Sequence, residues 1–172
     1  MKNVEPAWLV RARSLLNTRE APGTANNPTI LGWAKAAGIK VLGIVYNADS
    51  VPWCGVFVTE CLRHAGVNLG KMKVGVRAMA WATWGDPVKL DQLAPGTILV
   101  FQRPAGGHVG FYVGEDRTHF HVLGGNQGDR VSIMRLEKAR CVAARWPSDQ
   151  PLLGHPVVMT ATAGVAVSRN EA

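Results

Sequence analysis

Residues 97–125 read TILVFQRPAGGHVGFYVGEDRTHFHVLGG. Three short runs rich in Val, Ile, Leu, Phe and Tyr are separated by Pro104-Ala105-Gly106-Gly107 and by a turn over 114–118. Runs of this length and composition, bounded by Gly and Pro, are strands. Links this short join them antiparallel, because a parallel pair needs a long crossover. Strands are therefore expected over 97–102, 108–113 and 119–123, with 131–136 and 141–146 continuing the series. A loop centred on Arg117 sets a register in which His108 faces Asn126. His119 and His121 then take the opposite face, and a one-residue slip would exchange the two.

Upstream of Pro95-Gly96 the pattern is helical. Trp8, Leu9, Ala12, Leu15 and Leu16 recur at helical spacing over 6–17. Asn27-Pro28 reads as an N-cap with proline at the first helical position, and Gly38 as the stop near Ala37. The apolar run 39–45 fits helix or strand. Asp49-Ser50-Val51-Pro52 reads as the cap and start of a helix over 53–65, with Asp49 or Ser50 as the cap. Residues 67–76 read as loop and 77–84 as a short helix ending at Gly85. Helices followed by an antiparallel sheet define an α+β fold.

The chain has 172 residues, 47% hydrophobic and 18% charged, which excludes intrinsic disorder. No apolar run is long enough to span a bilayer, so no membrane insertion is expected. Nineteen Lys and Arg against twelve Asp and Glu leave a formal charge of +7, which favours an acidic partner. No basic run or nucleic-acid motif accompanies it, so nucleic acid is not the expected partner. Arg11 and Arg13 interrupt the N-terminal apolar run, so the chain is expected to be made in the cytoplasm without a cleaved signal. Residues 1–147 read as one domain. Residues 148–172, punctuated by Pro151 and Pro156, read as a loosely packed tail.

Three cysteines cannot build a disulfide scaffold. Most free cysteines are small buried hydrophobes, and Cys61 and Cys141 read that way. Cys54 stands apart because it falls in the first turn of a helix, where unpaired N–H groups and the helix dipole favour a thiolate. A cysteine nucleophile needs a base and a group to orient it. His108, at a strand start after two glycines, supplies the imidazole. Asn126, opposite it in the register, is the expected orienting group.

Those residues carry a family resemblance. Asp49-Ser50-Val51-Pro52-Trp53-Cys54-Gly55-Val56-Phe57-Val58 resembles the nucleophile segment of papain-like cell-wall hydrolases. Pro95-Gly96-Thr97-Ile98-Leu99-Val100-Phe101 is similar to the strand before their histidine, and Gly107-His108-Val109-Gly110-Phe111-Tyr112-Val113-Gly114 to the histidine strand. Val122-Leu123-Gly124-Gly125-Asn126-Gln127 and Arg145-Trp146-Pro147 resemble the strands that follow. The likeness is to the CHAP and NlpC-type group, nearest its phage endolysin and prophage-encoded members. It implies a papain-like fold and hydrolysis of a peptidoglycan amide by Cys54, His108 and Asn126, without a cofactor. Many CHAP domains carry glutamate two residues before the asparagine, where this chain has Gly124. Asp49 alone is too little to expect calcium.

Trp53, Trp81, Trp84, Tyr112 and Gln127 are candidates for substrate contact, each with core packing or turn closure as the competing role. Glu20 reads as a surface partner of Arg13 or Arg19. A monomer acting on the bacterial wall in phage lysis is expected, released with a holin. The alternatives are an interbacterial toxin with an immunity protein, a zinc hydrolase using His119 and His121 with Asp116 or His108, and a non-catalytic wall-binding module.

Overall fold

A computed structural model describes residues 3–159 and 165–168. Four helices precede a sheet: α1 (Ala7–Ser14), α2 (Pro28–Ala37), α3 (Ile39–Leu42) and α4 (Cys54–His64). The Asn27 side chain accepts from the Thr29 N–H at 2.8 Å, and Pro28 occupies the first turn, as the sequence predicts. The ambiguous run after Gly38 is one helical turn closed by Gly43 at φ 81°.

Helix α4 is the central strut. Every residue from Cys54 to Leu62 is buried, because α4 lies between α1 and α2 on one side and the sheet on the other. A helix apolar on all sides belongs in this position. Its one acid, Glu60, is held by Arg11 of α1 and by Arg63, both at 2.9 Å. Asp49 and Ser50 do not cap α4: Trp53 is the N-cap and makes no side-chain capping bond. Asp49 instead accepts the N–H groups of Ala21 (2.9 Å) and Asn27 (2.7 Å), tying the α1–α2 connection to the approach to α4. Its carboxylate meets these loop donors four residues before the N-cap position of α4, Trp53.

A Cβ on Gly55 would stand 2.1 Å from the Gly75 carbonyl oxygen, so α4 and the loop before Ala78 touch backbone to backbone. Gly55→Ala should therefore cost roughly 1–3 kcal/mol in overpacking. Urea denaturation would show it as a lower midpoint with an unchanged slope.

The sheet has six antiparallel strands in the order β1-β6-β2-β3-β4-β5. They are β1 (Asp86–Pro87), β2 (Ile98–Arg103), β3 (Gly106–Glu115), β4 (His119–Gly124), β5 (Ser132–Glu137) and β6 (Cys141–Trp146). The β3–β4 register pairs Phe111 with Leu123 and Tyr112 with Val122, as expected from the hairpin. It slips by one residue between Tyr112 and Gly114, so His121 faces Gly114. The expected register thus holds on the His108 side of the slip.

The two sheet faces build two cores. Val109, Phe111 and Val113 face the helices, whereas Leu99, Phe101, Tyr112, Phe120 and Val122 form a second cluster. Beyond residue 147, some of the described residues meet the sheet. Val158 bridges Glu115 and Val167 bridges Arg135, both in parallel sense. The Val157 N–H donates to the Tyr112 hydroxyl at 2.9 Å. These contacts meet backbone groups on Glu115 and Arg135 that the neighbouring strands leave open. No helix among the described residues is long and apolar enough to cross a membrane.

Buried between β4 and β5, Asp116 accepts from Arg135 Nε (2.8 Å), His121 Nε2 (2.9 Å) and the N–H groups of Thr118 and His119 (3.0 Å each). The Arg135 guanidinium, foremost, holds this carboxyl well below the usual carboxylate range. A depressed carboxylate stabilises the fold above its unfolded pKa and loses that contribution as pH falls toward the folded value. Asp116→Asn should cost roughly 3 kcal/mol at pH 7 by leaving Arg135 unpaired. Thermal melts below pH 4 should show the gap to wild type narrowing.

Candidate active site

Cys54 is the first residue of α4, so its sulfur meets the unpaired N–H groups of that helix end. Three backbone N–H groups favour its thiolate: those of Val109, Gly55 and Cys54 itself. Val109 follows His108 in β3, so the histidine strand passes directly over the nucleophile candidate. The Arg103 guanidinium adds a favourable charge. Burial nevertheless outweighs them all and pushes the Cys54 thiol up from its ordinary value. Cys54 is only 5% exposed, and desolvation of the anion exceeds what helix end and strand return. The resting group is a thiol that needs a base.

His108 is fully buried, and its Nε2 lies 2.9 Å from Gln127 Oε1. The Gln127 amide nitrogen donates to the carbonyls of Val122 (3.1 Å) and Ser132 (2.7 Å). With both N–H groups spent on carbonyls, Oε1 is an acceptor, so His108 Nε2 carries the proton. In the neutral ring the basic nitrogen is then Nδ1.

The hydrogen-bond partner described on His108 Nε2 is Gln127, where Asn126 was expected. β4 ends at Gly124, and Asn126 adopts φ 58°, so the chain leaves the strand before position 126. Alternation no longer governs where side chains point, and the next residue reaches back. Gly124 makes room for this. A Cβ there would lie 2.6 Å from Gln127 Oε1 and 3.2 Å from His108 Nε2. Gly124 and the glutamine on the histidine are thus one arrangement. Gln127 was a candidate for substrate contact, and the signal for its other role is Gly124.

The remaining candidates lie elsewhere. Trp53 is fully buried, stacked obliquely against Trp33, and its indole N–H reaches Glu20 at 3.3 Å. Glu20 is therefore no partner of Arg13, which binds Glu5. Trp81 is fully buried and donates to the Gly75 carbonyl at 3.0 Å. Trp84 packs edge-on against it at 5.1 Å. Both stabilise the turn before β1. Tyr112 shares the parity of His108 but sits mid-strand, where that face is covered by the second core. None of these four lines the opening above Cys54.

That opening is a cleft of about 400 Å³ with Cys54 at its base. Ile44, Val51, Val76 and Met79 make its walls apolar, and Gly106 and Gly107 bring the β2–β3 turn against it. A Cβ on Gly107 would stand 2.6 Å from Met79 Sδ, so a larger residue there would push the Met79 side chain aside.

Cys61 is fully buried, and burial raises its thiol well above the ordinary value. Cys141 is partly buried, its thiol pushed up to about 11. The zinc alternative loses its carboxylate, because the Asp116 oxygen that meets His121 also meets the Arg135 guanidinium. A cation there would face a fixed positive charge. Among the described residues no group of three or more His, Cys, Asp and Glu is placed to hold a metal.

A scan against protein-family models finds no match, and a search of curated proteins finds no similar protein.

Proposed function

We propose that the protein is a cysteine-dependent peptidoglycan amidase or endopeptidase of papain-like architecture, acting on the bacterial wall as a lysis enzyme. One observation carries the reading: a cysteine at the start of the buried central helix, at the base of a cleft, beneath the strand that bears a glutamine-oriented histidine. The endolysin-type role rests on the residue resemblance, and the +7 charge suits an acidic wall polymer.

In this mechanism a stem-peptide amide, or the lactyl amide joining peptide to sugar, enters the cleft with its carbonyl carbon at Cys54. His108 Nδ1 takes the thiol proton as sulfur attacks, and Gln127 holds the imidazolium through Nε2. The N–H groups of Cys54 and Gly55 meet the developing oxyanion. His108 returns the proton to the leaving amine as the C–N bond breaks, leaving an acyl-enzyme. Water, deprotonated by His108, then releases the carboxylic acid and restores the thiol. The raised Cys54 thiol suits this order, because proton transfer accompanies attack rather than preceding it.

The test is release of soluble fragments from purified, insoluble peptidoglycan. Wild-type protein should release them without added metal and lose the activity on thiol alkylation. Activity untouched by alkylation at Cys54 would overturn the reading.

A further inference from the structure

Two segments without a single Asp or Glu, residues 35–48 and 61–85, meet beside the Cys54 cleft. The Gly75 N–H donates to the Val41 carbonyl at 2.8 Å and the Val76 N–H to the Leu42 carbonyl at 3.3 Å. Four aliphatic side chains near this join face solvent: Ile44 (36% exposed), Val45 (72%), Val74 (40%) and Met79 (43%). Ile44 and Met79 line the cleft. Val74 packs beside Gly43, where an added Cβ would stand 2.8 Å from Val74 Cγ1. The cleft therefore opens within an exposed apolar patch, the kind of surface that marks a contact site.

Three exposed cations stand among these side chains. Lys71 and Lys73 share a hollow with Val74, and Arg77 lines the cleft with Met79. Among the described residues no carboxylate pairs with any of the three, and Lys73 Nζ donates to the Gly70 carbonyl at 3.1 Å. The acid that lines the Lys71 and Lys73 hollow, Asp86, accepts from Ser148 Oγ at 2.8 Å. Composition separates the partners such a face could meet. The core of a protein interface is rich in aromatics and poor in lysine, whereas the four exposed side chains here are all aliphatic. A polar wall polymer offers exposed Val and Ile nothing to bury against. An anionic bilayer satisfies both features, because aliphatic tips enter the headgroup layer without a matched pocket and Lys and Arg meet lipid phosphates.

We infer that this face docks on an anionic lipid bilayer, with Ile44, Val45, Val74 and Met79 in the headgroup layer, Lys71, Lys73 and Arg77 on lipid phosphates, and the Cys54 cleft opening toward the membrane. The contact is peripheral and reversible and spans nothing. It goes beyond the amide-hydrolase reading and does not depend on it.

The experiment is co-sedimentation of the full chain with phosphatidylcholine vesicles, with and without about one-third phosphatidylglycerol. Wild-type protein should partition at least about tenfold more onto the anionic vesicles at low salt, with added salt shrinking the difference. Lys73→Gln combined with Arg77→Gln should lower that partition at least about tenfold. Val45→Ser combined with Val74→Ser should lower it at least about threefold with the charge unchanged. Lys89→Gln combined with Val142→Ser, at exposed positions outside both segments, should leave it within about twofold of wild type. Thermal midpoints near wild type show that the variants are folded, and Val45→Ser alone, at the most exposed of the four positions, stands in if the double valine variant is not. No preference for anionic vesicles overturns the inference. So does a loss confined to the charge variant, which is adsorption by net charge alone, or an equal loss in the control variant. Sedimentation with insoluble peptidoglycan but not with vesicles assigns the face to the wall polymer and also overturns it. The vesicles hold no peptidoglycan, so the docking surface and the proposed hydrolase activity stand or fall separately.

Discussion

Cys54→Ala should lower peptidoglycan hydrolysis at least about a thousandfold, because nucleophile and base act as a unit and either alone is nearly inert. Removing one sulfur from a group that is 5% exposed leaves the fold standing, so circular dichroism and the thermal midpoint should stay close to wild type. The other cysteines give the contrast. Cys61→Ala removes a fully buried sulfur from α4 and should cost about 1 kcal/mol in stability with little change in turnover per folded molecule. Cys141→Ala, at a partly buried strand position, should do less. Three otherwise similar substitutions are thus separated by where each sulfur sits. Turnover on isolated peptidoglycan, measured beside unfolding curves for all three, checks the ordering.

The second large effect centres on Gln127. Gln127→Leu removes the acceptor from His108 Nε2 and strands the carbonyls of Val122 and Ser132. Turnover should fall roughly 10–100-fold with KM little changed, the loss expected when a catalytic base is no longer positioned. A merely structural role is separated from positioning by Gln127→Glu. That variant keeps an acceptor on Nε2 and gives it charge. It should raise the histidine's pKa, moving the acid limb of the pH–rate profile to higher pH. Gly124→Ala should act like Gln127→Leu without touching the amide, since its Cβ occupies the space of Gln127 Oε1. Asn126→Ala should change turnover less than about fivefold and cost near 1 kcal/mol for its left-handed backbone. An Asn126 variant as damaged as Gln127→Leu would remove the glutamine from the account.

Much of the scaffold was legible because local chemistry determined it. Asn27-Pro28 started α2, glycine ended it, and the turn around Arg117 set the register that places His108. The α+β order followed from where the helical period stops. What was not legible depended on the chain leaving regular structure. Strand alternation pointed to Asn126, but β4 ends two residues earlier, and after the left-handed turn it is Gln127 that reaches His108 Nε2. Asp49 has the sequence position of a cap, yet distant backbone donors at Ala21 and Asn27 claim it. Tyr112 was placed on the correct face, but parity does not say that a second core covers that face mid-strand. The thiolate expectation weighed the helix end without desolvation, which only the packing around Cys54 reveals.

The central claim is that Cys54 attacks an amide of the bacterial wall. Mass spectrometry of peptidoglycan digested by wild-type protein and by Cys54→Ala tests it most directly. The account predicts fragments with new amine and carboxyl ends at one kind of amide bond, intact glycan strands, and none of these products from the variant. The same fragments from Cys54→Ala, or wild-type products cut only in the glycan, would contradict it.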